Sequence, residues 1–117
     1  MSRLIYISHP YGGKKENFDR IEWIVRNLIK LYPTYTFISP VHTFGFLYKD
    51  VDYETGLRYC LDLLDKCDEM WLCSDNYQDS KGCMAEIAYC KGKGIPYEKL
   101  NDDVKGYFDK IYEKENY

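Results

Sequence analysis

Glu86 closes the segment D-S-K-G-C-M-A-E, residues 79 to 86, with Ser80 and Gly82 six and four positions before it. If the stretch after Gly82 is helical, Gly82 and Glu86 share a face, and the first N–H groups of the helix lie beside Ser80. A carboxylate in that early turn either faces a ligand or complements the helix dipole, an effect of about 0.3–1 kcal/mol. The spacing alone does not choose between the two. A second polar segment, S-H-P-Y-G-G-K-K, sets Gly12 and Gly13 between a strand and a helix. The glycines either make a tight turn or let the backbone approach an anion closely. Neither G-x-G-x-x-G nor G-x-x-x-x-G-K-[ST] occurs, which removes the dinucleotide-fingerprint and P-loop readings. His9 and His42 stand alone in the sequence, so no structural zinc is expected. The five cysteines form no C-x-x-C, and the pairs Cys60/Cys67 and Cys83/Cys90 are each seven residues apart. That spacing puts each pair on one face of its helix and suits core packing better than metal or redox chemistry.

An alternation of strands and helices must position these segments. Arg3 to Ser8 is a short apolar strand stopped by His9-Pro10. Asn17 can cap the next helix, whose residues Phe18, Ile21, Ile24, Val25, Leu28 and Ile29 keep a helical period until Pro33. Tyr35 to Ile38 reads as a second strand, closed by Ser39-Pro40, and Val41 to Asp52 as an irregular loop with Phe44, Phe46 and Tyr48 around Gly45. A helix from Tyr53 to about Cys67 sets Leu57, Cys60, Leu61 and Leu64 on one face. Glu69 to Ser74 is the third strand, Asp75 to Gly82 a polar loop, and the helix beyond carries Met84, Ile87, Ala88 and Cys90. Ile95 to Tyr97 reads as a short fourth strand, and a last helix from Asn101 or Asp102 would bury Val104, Phe108 and Ile111. This alternation predicts a three-layer, Rossmann-like (flavodoxin-like) α/β domain. Right-handed crossovers give a mainly parallel sheet of four to five strands in the order 2-1-3-4. Ligands of such sheets sit beyond the carboxyl ends of the strands where the winding reverses, here between strands one and three. The loops His9 to Lys15 and Ser74 to Gly82 meet at that point.

The 117 residues suit one domain, residues 1–117, and leave no room for two. Hydrophobic residues at 45% and charged residues at 30% exclude disordered and low-complexity classes. No apolar run approaches the ~20 residues of a membrane span, and the stretch before His9-Pro10 is too short for a signal peptide. A soluble, cytoplasmic chain is the expectation. The net charge is −3, and Lys49 to Asp75 carries eight acidic against three basic residues. No basic stripe marks a nucleic-acid polymer as partner, while a small phosphate held by backbone N–H groups stays open. Thirteen tyrosines suit pocket walls and oligomer interfaces, although ordinary core and surface positions account for most of them. Tyr107, Tyr112 and Tyr117 lie near a C-terminal end whose six lysines and six acids, from Lys91 onward, leave it neutral. A homodimer or larger even-numbered assembly is expected, with the aromatic loop or the last helix near the interface.

Three segments, I-Y-I-S-H-P-Y-G-G, C-D-E-M-W-L-C-S and S-K-G-C-M-A-E-I-A-Y-C-K-G-K-G-I-P-Y, together resemble the nucleoside 2-deoxyribosyltransferase family. They are similar also to its relatives, the 2′-deoxynucleoside 5′-monophosphate N-glycosidases and related small domains. The likeness runs over residues 3 to 98, and its most specific part is S-x-G-x-x-x-E followed by a small-residue helix and G-I-P. It implies that Glu86 is the nucleophile that attacks the anomeric carbon, and that Tyr6 holds it. Ser80 falls where the transferases carry an aspartate for the sugar 5′-hydroxyl and the monophosphate glycosidases a serine for phosphate, which favours a 5′-phosphorylated ligand. Gly82 matches the glycine that admits the ligand. Ser8, His9, Tyr11, Gly12, Gly13, His42 and Asp75 complete the candidate substrate-binding set.

Two departures accompany the likeness. Cys60 stands where the family usually carries an aspartate for acid–base work, and Asp62 would point to another face. The first loop has His9 and Pro10 where small residues are usual and lacks an arginine for phosphate; Lys14, Lys15, His9 and His42 are the available substitutes. The mechanism implied is that of a retaining glycosidase, with a covalent glycosyl-enzyme captured by water or a second base. Tyr11 or the Phe44–Tyr48 aromatics would stack on the base, and no metal or organic cofactor is required. The expected ligand is a small nucleoside or nucleotide, either cleaved by an N-glycosidase or transferase, or held by a non-catalytic nucleotide-binding module.

Overall fold

In the first strand, β1 (Leu4–Ser8), the four residues from Ile5 to Ser8 are buried, as a central strand covered on both faces requires. It pairs in parallel with β2 (Thr36–Ile38) on one side and β3 (Glu69–Leu72) on the other; β4 (Tyr97–Lys99) pairs with β3. The sheet is four-stranded and all parallel, in the order β2-β1-β3-β4. The computed structural model describes residues 3–100, 106–110 and 113–114. Alternation along the strands divides the core in two. Ile5, Ile7 and Trp71 pack against Ile21, Ile24 and Leu28 of α1 (Lys15–Leu31) and against Phe108 in the helical residues 106–110. Tyr6, Met70 and Leu72 pack on the other face against Leu64 of α3 (Tyr53–Leu64) and Cys83, Ile87 and Cys90 of α4 (Lys81–Lys93). Helices thus cover both faces of the sheet in a three-layer Rossmann-like α/β fold. Among the described residues no helix is long and apolar enough to cross a membrane. Asn101, Asp102, Val104, Ile111, Tyr112 and Tyr117, singled out above, lie outside the described residues.

Several boundaries differ from the sequence reading. The segment after Pro40 is not an irregular loop: Ser39 Oγ accepts the His42 N–H, Pro40 takes the first helical position, and α2 (Pro40–Phe44) forms, followed by a 3-10 turn at Gly45–Leu47. Asn17 does not cap α1, which begins after Lys14; its amide donates to the Tyr11 carbonyl at 2.9 Å. The chain has already reversed at Gly12 and Gly13, both at positive φ, so the helix starts earlier. Helix α3 ends at Leu64, so Cys67 follows it and does not share its face with Cys60. Asp68 then ties the next segment to β1: its N–H donates to the Leu4 carbonyl, and its carboxylate accepts the Leu4 N–H at 2.7 Å. The fourth strand starts at Tyr97 because the N–H groups of Gly94 and Ile95 both close the end of α4 on the Cys90 carbonyl, and Pro96 has no N–H to offer a ladder.

Gly92 and Gly94 give an internal control of this ending. Neither has a heavy atom within 4 Å of where a Cβ would stand, but Gly94 sits at φ 70° and Gly92 within the helix. Gly94→Ala should therefore lower stability by about 1 kcal/mol through the backbone alone. Gly92→Ala should raise it by about 0.5–1 kcal/mol. Urea unfolding of the two variants beside the parent chain checks both signs.

Candidate functional site

Helix α4 is capped by Ser80, whose Oγ accepts the Cys83 N–H at 3.2 Å. Its buried face then carries Cys83, Glu86, Ile87 and Cys90 at helical spacing, so a carboxylate stands in an otherwise apolar stripe, only 6% exposed. Opposite it are Tyr6 and Ser8, which point to the same side of β1 because they are two residues apart. The Tyr6 hydroxyl donates to Glu86 Oε2, and Ser8 Oγ donates to Oε1 at 2.9 Å. Each carboxylate oxygen thus has one neutral donor. Burial dominates the electrostatics and pushes the Glu86 carboxyl up from its ordinary 4.5 to about 7, against the opposing pull of the Tyr6 and Ser8 hydrogen bonds. Burial, with Glu86 nearby, also raises the Tyr6 phenol well above its usual range and the Cys60 thiol to about 11.

Above this carboxylate opens a cavity of about 630 Å³, well within the size of small-molecule sites. Helix α3 supplies one wall through Tyr53, Gly56, Leu57 and Cys60, and the start of α4 supplies another through Ser80, Lys81, Gly82 and Cys83. His9, Tyr11 and Gly12 come from the turn after β1, Phe44 and Tyr48 from the α2 segment. The cavity therefore lies beyond the carboxyl ends of β1 and β3, at the reversal of winding. Tyr11 and Tyr48 meet edge to face at 5.4 Å between centroids, and Phe44 and Tyr59 lie 5.7 Å apart. The two glycines of the first loop have different neighbours. Gly12 faces the cavity, whereas a Cβ on Gly13 would stand 2.7 Å from Tyr48 Cε1, so Gly13 makes room for that ring. His9 Nδ1 is hydrogen-bonded to the Pro10 carbonyl at 2.7 Å, and burial lowers the basicity of the imidazole.

A family model described as a domain of unknown function (DUF7768) matches residues 3–100, all four strands and the whole cavity lining. The chain belongs to this family. No curated protein matches it in sequence.

In this DUF7768 domain the sequence-predicted residues divide by place. Tyr6, Ser8 and Glu86 are joined, and His9, Tyr11, Gly12, Ser80 and Gly82 line the cavity above them. Three candidates stand outside it: Gly13, set against the Tyr48 ring, His42 and Asp75. His42 belongs to α2, where its ring stacks on Phe18 at 4.0 Å and its Nε2 lies 3.4 Å from Glu22, turned toward α1. Asp75 pairs with Lys99 Nζ at 3.2 Å, and Asn76 takes the place at the cavity. Lys15 is likewise withdrawn, paired with Asp19 at 2.7 Å, while Lys14 lines the cavity. The sequence reading missed Tyr53 as a wall residue, took Leu57 for plain core, and gave Cys60 both a core-packing role and the position where the resemblance expects an aspartate. Tyr53, Gly56, Leu57 and Cys60 recur at i, i+3, i+4 and i+7, one helical face, which was the available signal.

The raised carboxyl makes a stability prediction. Between about pH 4.5 and 7 the folded chain keeps a proton on Glu86 that the unfolded chain has released. Stability contributed by this group is therefore present at low pH, declines as pH rises through that window, and is level above it. Glu86→Gln keeps an acceptor for Tyr6 and supplies a donor for Ser8 without the charge. It should match the parent at pH 4.5 and exceed it by on the order of 2 kcal/mol at pH 8, as read by urea unfolding at both pH values.

Proposed function

We propose that the chain acts on the N-glycosidic bond of a nucleoside or 2′-deoxynucleoside 5′-monophosphate, as an N-glycosidase or deoxyribosyltransferase with Glu86 as nucleophile. The observation that carries this reading is the Glu86 carboxylate at the cavity floor, gripped by the Tyr6 and Ser8 hydroxyls and, among the described residues, by no cation. Two neutral donors fix its direction without neutralising it, so an oxygen lone pair is available to an oxocarbenium-like carbon. Attack would form a glycosyl ester on Glu86, and water or a second base would release the sugar. His9, uncharged and with Nδ1 engaged, is a neutral base lining the same cavity. The aromatic walls suit a planar base. The start of α4, the Ser80 hydroxyl and the Lys14 and Lys81 ammonium groups suit a 5′-phosphate. The resemblance to the 2-deoxyribosyltransferase family points the same way.

Cys60 favours a second reading, a nucleotide-binding module without turnover. A thiol pushed up to about 11 supplies no acid at neutral pH where the resemblance would place a carboxyl group. Phe46, Tyr48 and Tyr53 are exposed near the cavity mouth and support, in either reading, a homodimer through this aromatic segment.

A panel of nucleoside and 2′-deoxynucleoside 5′-monophosphates, varied in base and base charge, tests the reading by release of free base. Release is expected, with a 5′-monophosphate preferred about tenfold or more over its nucleoside. Glu86→Gln should reduce release by about a thousandfold or more. Saturable binding with no release would establish the module instead. Light scattering at high micromolar concentration should return a particle of twice the chain mass of 14.0 kDa.

A further inference from the structure

The groups that face Glu86 limit what can leave from the anomeric carbon. Tyr6 and Ser8 reach it from β1, Tyr53 and Cys60 lie near it on α3, and Cys83 and Cys90 on its own helix. All are hydroxyls and thiols, poor acids at neutral pH even in water, and five of the six are ionisable groups whose pKa is raised further here. His9 and Asp52, which also line the cavity, do not supply the proton either. His9 is held neutral by burial. Hydrogen bonds from the Thr55 side chain and from its N–H, the latter at 2.8 Å, hold the Asp52 carboxylate below the usual range and therefore ionised. A neutral purine or pyrimidine departs with surplus negative charge on nitrogen unless an acid protonates it, help typically worth at least about a hundredfold. The buried floor and the aromatic walls favour positive charge, while the two lysines of the lining, Lys14 and Lys81, suit the 5′-phosphate. Among the described residues Glu86 has no counter-ion, and Tyr11, Phe44, Tyr48 and Tyr59 offer the ring faces that attract cations.

Resting on the glycosidic reading above, we propose that the substrate of this cavity is an N-glycoside whose base is already cationic, such as an N-ribosylated pyridinium or an N7-alkylated purine nucleotide. The step then needs no acid. A Glu86 carboxylate oxygen forms a bond to C1′, and the C1′–N bond breaks. Its electron pair cancels the positive charge of the ring, and the base leaves neutral. Water adds at C1′, the ester C–O bond breaks to regenerate the carboxylate, and the surplus proton passes to solvent. A cation bound beside Glu86 also favours its ionised form, so the substrate itself prepares the nucleophile, whereas a neutral nucleotide does not.

The test uses the full chain and matched pairs: guanosine 5′-monophosphate against its N7-methyl derivative, in ribo and 2′-deoxyribo series, with nicotinamide mononucleotide as the pyridinium. Base release is followed by chromatography, with no-protein blanks subtracted. Release from the cationic members should exceed release from unmethylated guanine nucleotides by about a hundredfold or more, and Glu86→Gln should abolish it. Glu86-dependent release of unmethylated guanine at an equal or greater rate would overturn the inference and leave the glycosidic reading standing. No Glu86-dependent release from any member would remove that reading, and this inference with it.

Discussion

Glu86 is a carboxylate that the fold buries with no counter-ion among the described residues, and the arrangement of β1 against α4 follows from how it is satisfied. Two hydroxyls two residues apart on one strand can grip both oxygens of one carboxylate only if helix and strand cross at a fixed height. Ser80 fixes that height by starting α4 six residues before Glu86, and the Gly94 turn ends the helix so that β4 can pair with β3. At the other end of the sheet, Asp68 fixes β1 beside β3 through both of its hydrogen bonds to Leu4. A buried, unpaired charge costs several kcal/mol. The chain meets that cost in part by letting the group hold its proton up to about pH 7.

The fold was legible because each strand and helix announced its period and its stops. R-L-I-Y-I-S has no polar interruption before Ser8, as a strand covered on both faces must. The α1 stripe Ile21, Ile24 and Leu28 is buried as its spacing requires. Boundaries were less legible where one signal serves two purposes. Ser39-Pro40 stops β2 and also starts α2, and that helix carries His42 away from the cavity. G-I-P ends α4 and also delays β4. At the site, Glu86, Ser80 and Gly82 were legible from their spacing and from the switch-point rule, and Tyr6 only through the family resemblance. Cys60 was visible as a core-packing cysteine and as a departure from the resemblance, because its place at the cavity depends on which strand residue stands opposite the α3 face.

The tyrosine-rich composition divides by layer. Tyr32 and Tyr35 stack on each other and meet Trp71 edge to face on the α1 side, an ordinary core use of large rings. Tyr11, Tyr48, Tyr53 and Tyr59 gather at the cavity. Two glycines admit this second group: Gly13 accepts the Tyr48 ring, and Gly45 leaves Tyr11 at 3.4 Å from where a side chain would begin. The turn after β1 and the segment after β2, far apart in sequence, are thereby locked into one wall.

That wall and the floor beneath it ask for the same ligand chemistry. A lysine or arginine beside Glu86 would have lowered its carboxyl and stabilised the fold, but it would also have neutralised the charge a reacting carbon must meet. Hydroxyls orient the carboxylate without competing for it, and the thiol of Cys60 adds no charge of either sign while it stays protonated. A second acid at that position would help a neutral base depart, yet two buried carboxyls so close raise one another and hold a shared proton. With Cys60 in place, Glu86 is, among the described residues, the single negative charge in the buried floor, and its ionisation answers to whatever enters the cavity.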